Sequence, residues 1–119
     1  MDKQRKKELL EQAKQEKKFM GIVQFENLIN GKIFLDASPN LRNQGFSMKA
    51  QLNMGMHPNK ELQKDWTELG EAAFSYQVLE KKDHEKVEDL KWEMKQMLKI
   101  WLEKLQPYGE KGYNKPPRD

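Results

Sequence analysis

The stretch GIVQFENLINGKIFLDAS, residues 21–38, holds two β-rich runs, 21–28 and 32–36, joined through Asn30-Gly31. Both residues of an Asn-Gly pair tolerate the positive φ of a type I′ turn, so the stretch reads as a β-hairpin with its turn at that pair. An antiparallel pair of strands is therefore the nucleus from which the rest of the chain is placed.

Upstream, residues 2–18 read as a charged helix with Leu9, Leu10 and Ala13 as a thin apolar edge, an appendage to the main core. Downstream, Ser38-Pro39 has the chemistry of an N-cap and first turn, and Leu41, Met48 and Leu52 recur at helical spacing to about Met54. Gly45 inside that helix costs roughly 1 kcal/mol relative to Ala. After a break at MGMHPN, residues 60–69 form a short helix with Leu62, Trp66 and Leu69 on one face and Gly70 as its stop. AFSYQVLE alternates as a third strand, with Phe74, Tyr76 and Val78 opposite Ser75, Gln77 and Leu79.

The longest helix is expected over 83–105, with Val87, Leu90, Met94, Met97, Leu98, Trp101 and Leu105 as one apolar stripe. Trp92 and Ile100 fall near its opposite face, roughly 12 Å apart along the axis. They need a second partner, either the Leu9, Leu10 and Ala13 edge or a second copy of the chain in a homodimer. The tail QPYGEKGYNKPPRD is extended and irregular. The expected organisation is a charged N-terminal helix over 1–18, one domain over 19–114 and a tail over 115–119. The fold class is α+β: a small three-stranded antiparallel sheet flanked by helices, with an extra N-terminal helix.

The bulk properties narrow the function. A chain of 119 residues has room for one modest core. Hydrophobic residues make up 36% and charged residues 34%, which with three Trp and five Phe argues for a folded domain with a highly charged surface. The 22 basic residues are nearly offset by 19 acidic ones, so net charge alone is a weak argument for nucleic acid. The excess concentrates in the first eighteen residues, where seven Lys or Arg face four acids; a basic, solvated helix face is the plain reading. There is no cysteine, which removes disulfides, thiolate nucleophiles and Cys-based zinc sites. No apolar run reaches signal-peptide or membrane length, and a cytoplasmic protein with no membrane partner is the default expectation.

In order and spacing, several pieces resemble the GIY-YIG nuclease domain. Gly21-Ile22-Val23 is followed by ten residues, including Asn30-Gly31-Lys32, and then by Phe34-Leu35-Asp36 where that family has Tyr-Ile-Gly. SPNL at 38–41, LNMGMHPNKELQKDW at 52–66, GEAAFSYQVLE at 70–80 and WLEKLQPYGEKGYN at 101–114 continue the resemblance collinearly. It implies a GIY-YIG-like fold and a site that cuts DNA through one divalent ion. In such a site a tyrosine activates water, an arginine stabilises transition-state charge and a helix-borne glutamate holds the metal.

Carried over residue by residue, the resemblance puts the two tyrosine positions at Val23 and Phe34, the arginine at Gln44, a histidine at Met48 and the glutamate at Leu98. Only His57 and Asn114 stand where the family often has polar groups. Leu98 offers no oxygen to Mg²⁺, and Glu93 and Glu103 lie about 140° around the helix from it. Losing the metal ligand and the charge-stabilising group together would remove many orders of magnitude in rate. The expectation is therefore no intact catalytic set, no metal and no cofactor.

The remaining residues have a functional and a plain reading. His57 is a phosphate or base contact, or a polar loop residue before Pro58; His57 and His84 have no carboxylate spaced to complete a metal site. Trp66 and Trp101 fall on apolar stripes as core. Asn114 is a catalytic remnant, or a hydrogen bond closing the tail over the sheet. Met48, Met54 and Met56 line an apolar cleft, or fill it as core. Two functions follow. The first is a non-catalytic module binding nucleic acid or a protein partner, with Arg5, Lys6, Lys7, Arg42 and His57 as candidate nucleic-acid contacts. The second is a Mg²⁺-dependent endonuclease with a rearranged site drawing on Arg42, His57 and Glu80.

Overall fold

A computed structural model describes residues 18–116, so the expected N-terminal helix, with Arg5, Lys6, Lys7 and the Leu9, Leu10 and Ala13 edge, falls on residues outside them. The described elements are β1 (Phe19–Asn27), β2 (Ile33–Ser38), α1 (Gln44–Asn53), α2 (Lys60–Leu69), β3 (Phe74–Asp83) and α3 (Leu90–Leu105), with 3₁₀ turns at Glu71–Ala73, His84–Lys86 and Gly109–Lys111. The strands form one antiparallel sheet in the order β2-β1-β3. This is the α+β architecture that the hairpin and the flanking periodicities predict.

β1 is central and buried on both faces, which is why its apolar residues run on instead of alternating strictly. Val23 and Phe25 face α1 and α2, in a core with Phe34, Met48, Leu52, Leu62, Trp66 and Tyr113. Met20 and Ile22 point the other way, into a second core with Met97, against which Leu90, Met94, Leu98 and Trp101 of α3 pack. Each fully buried side chain of this kind contributes about 1.5–3 kcal/mol. The sheet is thereby held between α1 and α2 on one face and α3 on the other.

Three local expectations are corrected. The hairpin turn is not a two-residue type I′ turn: Gly31 has φ 77° but Asn30 does not enter positive φ. The loop is longer, closing where the Asn27 N–H donates to Lys32 O and the Gly31 N–H donates to Asn27 O, each at 2.8 Å. The buried Asn27 side chain also accepts from the Ile29 N–H at 2.9 Å, so its Oδ1 competes successfully for the turn.

The second correction is at α1, which begins at Gln44 and not at Ser38-Pro39. Ser38 closes β2, paired with Gly21, and its Oγ lies 2.8 Å from Asn40 O and 2.9 Å from Gln44 Oε1. A serine hydroxyl serves a local turn as readily as a helix cap, and sheet pairing decides between them. Third, β3 runs on to Asp83, paired with Phe19, and α3 starts only at Leu90. The carboxylate that caps α3 is that of Asp89, accepting from the Trp92 N–H at 3.1 Å, while Asp83 caps the preceding 3₁₀ turn. A bulge, which the alternation of β3 does not reveal, also shifts the β1–β3 register so that Ile22 pairs with Glu80 and Val23 with Val78. The skipped Leu79 joins the α3 core, and Val78 is left 40% exposed.

Close packing accounts for two glycines. A Cβ on Gly21 would sit 1.9 Å from Glu80 O, so the strands can approach beside the bulge only with hydrogen there. A Cβ on Gly45 would meet the Tyr76 ring at 2.9 Å, which explains a helix-weakening residue inside α1.

Candidate functional site

β2 is an edge strand, and the positions that the resemblance marks gather around it. Val23 pairs across the strands with Asp36, and Phe25 with Phe34. Val23 is 1% exposed, Phe34 9% and Met48 4%, all in the α1–α2 core. His57 is buried against Phe34, its ring edge-on at 5.3 Å between centroids. Its Nδ1 accepts from the Asn59 N–H at 3.0 Å, and burial lowers its pKa below the ordinary histidine value. Gln44 is spent on Ser38, at the start of the helix that carries Met48. Apart from the two hydrogen-bonded side chains, this face of β2 is closed apolar core.

The outer edge of β2 would expose unpaired backbone groups, and the chain covers it in two ways. Ile33 O accepts from the Tyr113 N–H at 2.9 Å, and the Asn114 amide then grips Leu35, Oδ1 accepting from its N–H at 2.9 Å and Nδ2 donating to its carbonyl at 2.8 Å. Asn114 imitates one rung of a β-ladder, so its geometry is that of the tail closure. Further along, the Ala37 N–H is taken at 2.9 Å by Oδ1 of Asp36 itself.

Tyr113, which nothing in the sequence singled out, anchors that closure from beneath. It is 3% exposed; its Oη donates to Asp65 at 2.6 Å and accepts from the Asn27 amide at 3.1 Å. Burial, reinforced by the Asp65 carboxylate, pushes its phenol up to about 12. The hint in the sequence is a tyrosine directly before Asn114 in a tail rich in Pro and Gly.

Leu98 stands apart from the α1–α2 core. It packs on the α3 side and, with Asp36, lines a groove of about 580 Å³ between the β2 edge and α3. Ala37, Met94 and Leu98 make its apolar floor, and Asp89, Lys91, Trp92 and Lys95 its rim. Burial raises the Asp36 carboxyl above the ordinary aspartate value, partly offset by the bond from Ala37. Trp92 and Ile100 are 58% and 61% exposed, as their helical position predicts. Lys91, Lys95 and Lys99 follow at i, i+4 and i+8 as an exposed ridge of α3, and none is ion-paired with a described residue. In the sequence the ridge is masked because its lysines interleave with the apolar stripe; their four-residue spacing is the signal.

The other candidates disperse. Met54 and Met56 are 71% and 65% exposed, so they neither fill the core nor face Met48 inside it. Trp66 is core, 3% exposed, with Nε1 donating to Asn53 at 2.9 Å; Trp101 donates to Glu80 at 2.7 Å, which engages the carboxylate assigned to a rearranged site. Arg42 is exposed in the turn before α1. His84 meets Pro39 O through Nε2. Among the described residues no three His, Cys, Asp or Glu side chains gather to hold an ion, and no helix is long and apolar enough to cross a membrane.

No protein-family model matches the sequence, and no curated protein matches it. The architecture, however, is that of a GIY-YIG-like nuclease domain: one three-stranded antiparallel sheet with three helices. It is similar to the catalytic domain of the homing endonuclease I-TevI, a GIY-YIG enzyme, at TM-score 0.67 and 22% identity, covering 82% of this chain and 99% of that one. A mutant of the catalytic domain of the intron endonuclease I-TevI gives TM-score 0.67 at 23% identity, covering 81% and 92%. At these identities the likeness is one of fold.

Proposed function

We propose that this nuclease-like domain binds nucleic acid without the hydrolytic chemistry of its structural relatives. The observation that carries this reading is burial: Val23, Phe34 and Met48, at positions that the resemblance gives to polar groups, are core residues at 9% exposure or less. A buried apolar side chain neither orients water nor meets a phosphate. The implied metal does not fit either. Mg²⁺ demands near-octahedral oxygen ligands, whereas Leu98 supplies none, and the one carboxylate beside it in the β2 edge, Asp36, already accepts from Ala37.

Binding is supported by the lysine ridge of α3, with exposed Arg42 and the N-terminal Arg5, Lys6 and Lys7 as further contacts. Each phosphate neutralised on duplex DNA steepens the salt dependence by about 0.9. The test pairs two assays on the purified 119-residue chain. Incubation of supercoiled plasmid with Mg²⁺ or Mn²⁺ is expected to give no nicking, while duplex binding weakens linearly in log salt. Substitution of Lys91, Lys95 and Lys99 by Ala is expected to reduce the slope by about 2–3. Metal-dependent nicking abolished by Arg42→Ala or His57→Ala would establish the rearranged endonuclease instead, and salt-independent or absent binding would remove the nucleic-acid reading.

A further inference from the structure

We infer that the outer edge of β3 pairs with the same strand of a second copy of this chain, giving a closed dimer with one continuous six-stranded sheet. The two edges of the sheet are finished differently. In an antiparallel ladder alternate residues turn their N–H and C=O groups away from the neighbouring strand. On β2 these outward groups are taken up: Ile33 O by the Tyr113 N–H, both groups of Leu35 by Asn114, and the Ala37 N–H by Asp36. On the other side of β1, the Leu28 N–H donates to Ala73 O at 2.8 Å, which makes Asn27 and Phe74 a non-hydrogen-bonded pair. By alternation Phe25 with Tyr76 and Val23 with Val78 are non-hydrogen-bonded pairs too. Tyr76 and Val78 therefore present N–H and C=O outward, and among the described residues none meets any of these four groups.

Open edges are ordinarily blunted by charges or a bulge. β3 has both, but only past Val78: the register shift falls at Leu79, and Glu80, Lys81, Lys82 and Asp83 follow. Residues 74–79, FSYQVL, carry no charge and no Pro, and Val78 is 40% exposed. A second copy of β3 satisfies this stretch in one register. Outward residues must face outward residues. Tyr76 opposite itself would set Val78 against Phe74, whose N–H is already given to Glu71 O, and Val78 opposite itself would set Tyr76 against Glu80, across the bulge. Tyr76 opposite Val78 engages every outward group of both residues in both copies, in an exchange of backbone hydrogen bonds about a two-fold axis at Gln77. It sets an aromatic beside a β-branched side chain twice on one face of the sheet. The uncharged stretches overlap, while Lys81 and Lys82 of each copy run on toward exposed Glu71 of the other. Because the tail closes the β2 edge, the sheet has no further edge to offer and assembly ends at two copies.

The test uses the 119-residue chain without nucleic acid, by sedimentation velocity from about 10 μM to about 1 mM and by residue-resolved amide exchange at both ends of that range. One strand pairing is a small interface, so a monomer–dimer equilibrium with its midpoint inside the range is expected. The Tyr76 and Val78 amides are expected to exchange freely in dilute protein and to slow severalfold in concentrated protein, while the Gln77 amide, turned toward β1, is protected in both. Val78→Lys places a charge at an exposed edge position and is expected to weaken association at least about tenfold, with an unchanged circular dichroism spectrum. Trp92→Ala, on α3, is expected to leave association unchanged. A monomer at every concentration, with the Tyr76 and Val78 amides exchanging freely throughout, would overturn the pairing. Association that survives Val78→Lys, or that Trp92→Ala abolishes, would place the contact elsewhere and overturn it equally, and growth beyond two copies would overturn the closed dimer.

Discussion

Replacing Asn114 by Ala tests whether that residue is part of the fold or of a site. Its amide makes two hydrogen bonds to Leu35, at 2.9 and 2.8 Å, and Leu35 is 1% exposed. Each such bond contributes about 0.5–1.5 kcal/mol net, and a buried backbone group left without a partner costs about 1–3 kcal/mol. The β2 edge is close enough to the surface for water to replace part of the loss, which places the expected destabilisation at roughly 1–3 kcal/mol. In a domain of this size that lowers Tm by roughly 5–15 °C. Urea unfolding followed by circular dichroism reads it as a lower midpoint with unchanged m. Asn114→Asp keeps the acceptor for the Leu35 N–H but sets a second oxygen against the Leu35 carbonyl, so it is expected to lose at least as much as Asn114→Ala. A loss below about 0.5 kcal/mol for both variants would show that the clamp is not held in solution and would return Asn114 to the list of site candidates.

Two further outcomes follow from buried phenols. The Tyr76 hydroxyl has no partner although it is enclosed, and burial raises its pKa; Tyr76→Phe is expected to leave stability unchanged or raise it by about 1 kcal/mol, read by the same urea titration. The Tyr113 phenol, held at about 12 against an unfolded value of 10.0, retains its proton where the unfolded chain has lost it. Its contribution is complete below the unfolded value and lost as pH climbs through the folded one. Thermal unfolding between pH 9 and 12 is expected to show a decline that Tyr113→Phe flattens.

Local chemistry in the sequence was enough for the sheet, because the β1–β2 hairpin and the third strand are written in short-range pattern: β-branched and aromatic runs punctuated by Asn-Gly and Gly. It was not enough for the boundaries. Ser38 and Asp83 each carry a helix-capping side chain, yet both are drawn into strands by pairing with Gly21 and Phe19. A cap is worth about 1 kcal/mol, and a continued sheet with buried neighbours outweighs it. Similarly, the alternation that places Val78 and Leu79 on opposite faces holds, but the bulge that ends it at Glu80 is contained in no two-residue periodicity.

The candidate site divides the same way. From residue types alone, Val23, Phe34, Met48 and Leu98 were seen to be the wrong chemistry for hydrolysis, since that depends only on which atoms a side chain carries. Whether Asn114 grips the sheet, whether Tyr113 lies beneath it, and that Asp36 and Leu98 share a groove with Trp92 and a lysine pair were set by chain segments far apart in sequence. These are decisions of packing: the β2 edge must satisfy its backbone groups, and the residues that do so come from wherever the tail and α3 can reach. The sequence by itself determined the sheet, the helix faces and the missing polar groups. The tertiary structure alone decided where the remaining ones meet, because hydrogen bonds and desolvation act between neighbours in space, whatever their separation along the chain.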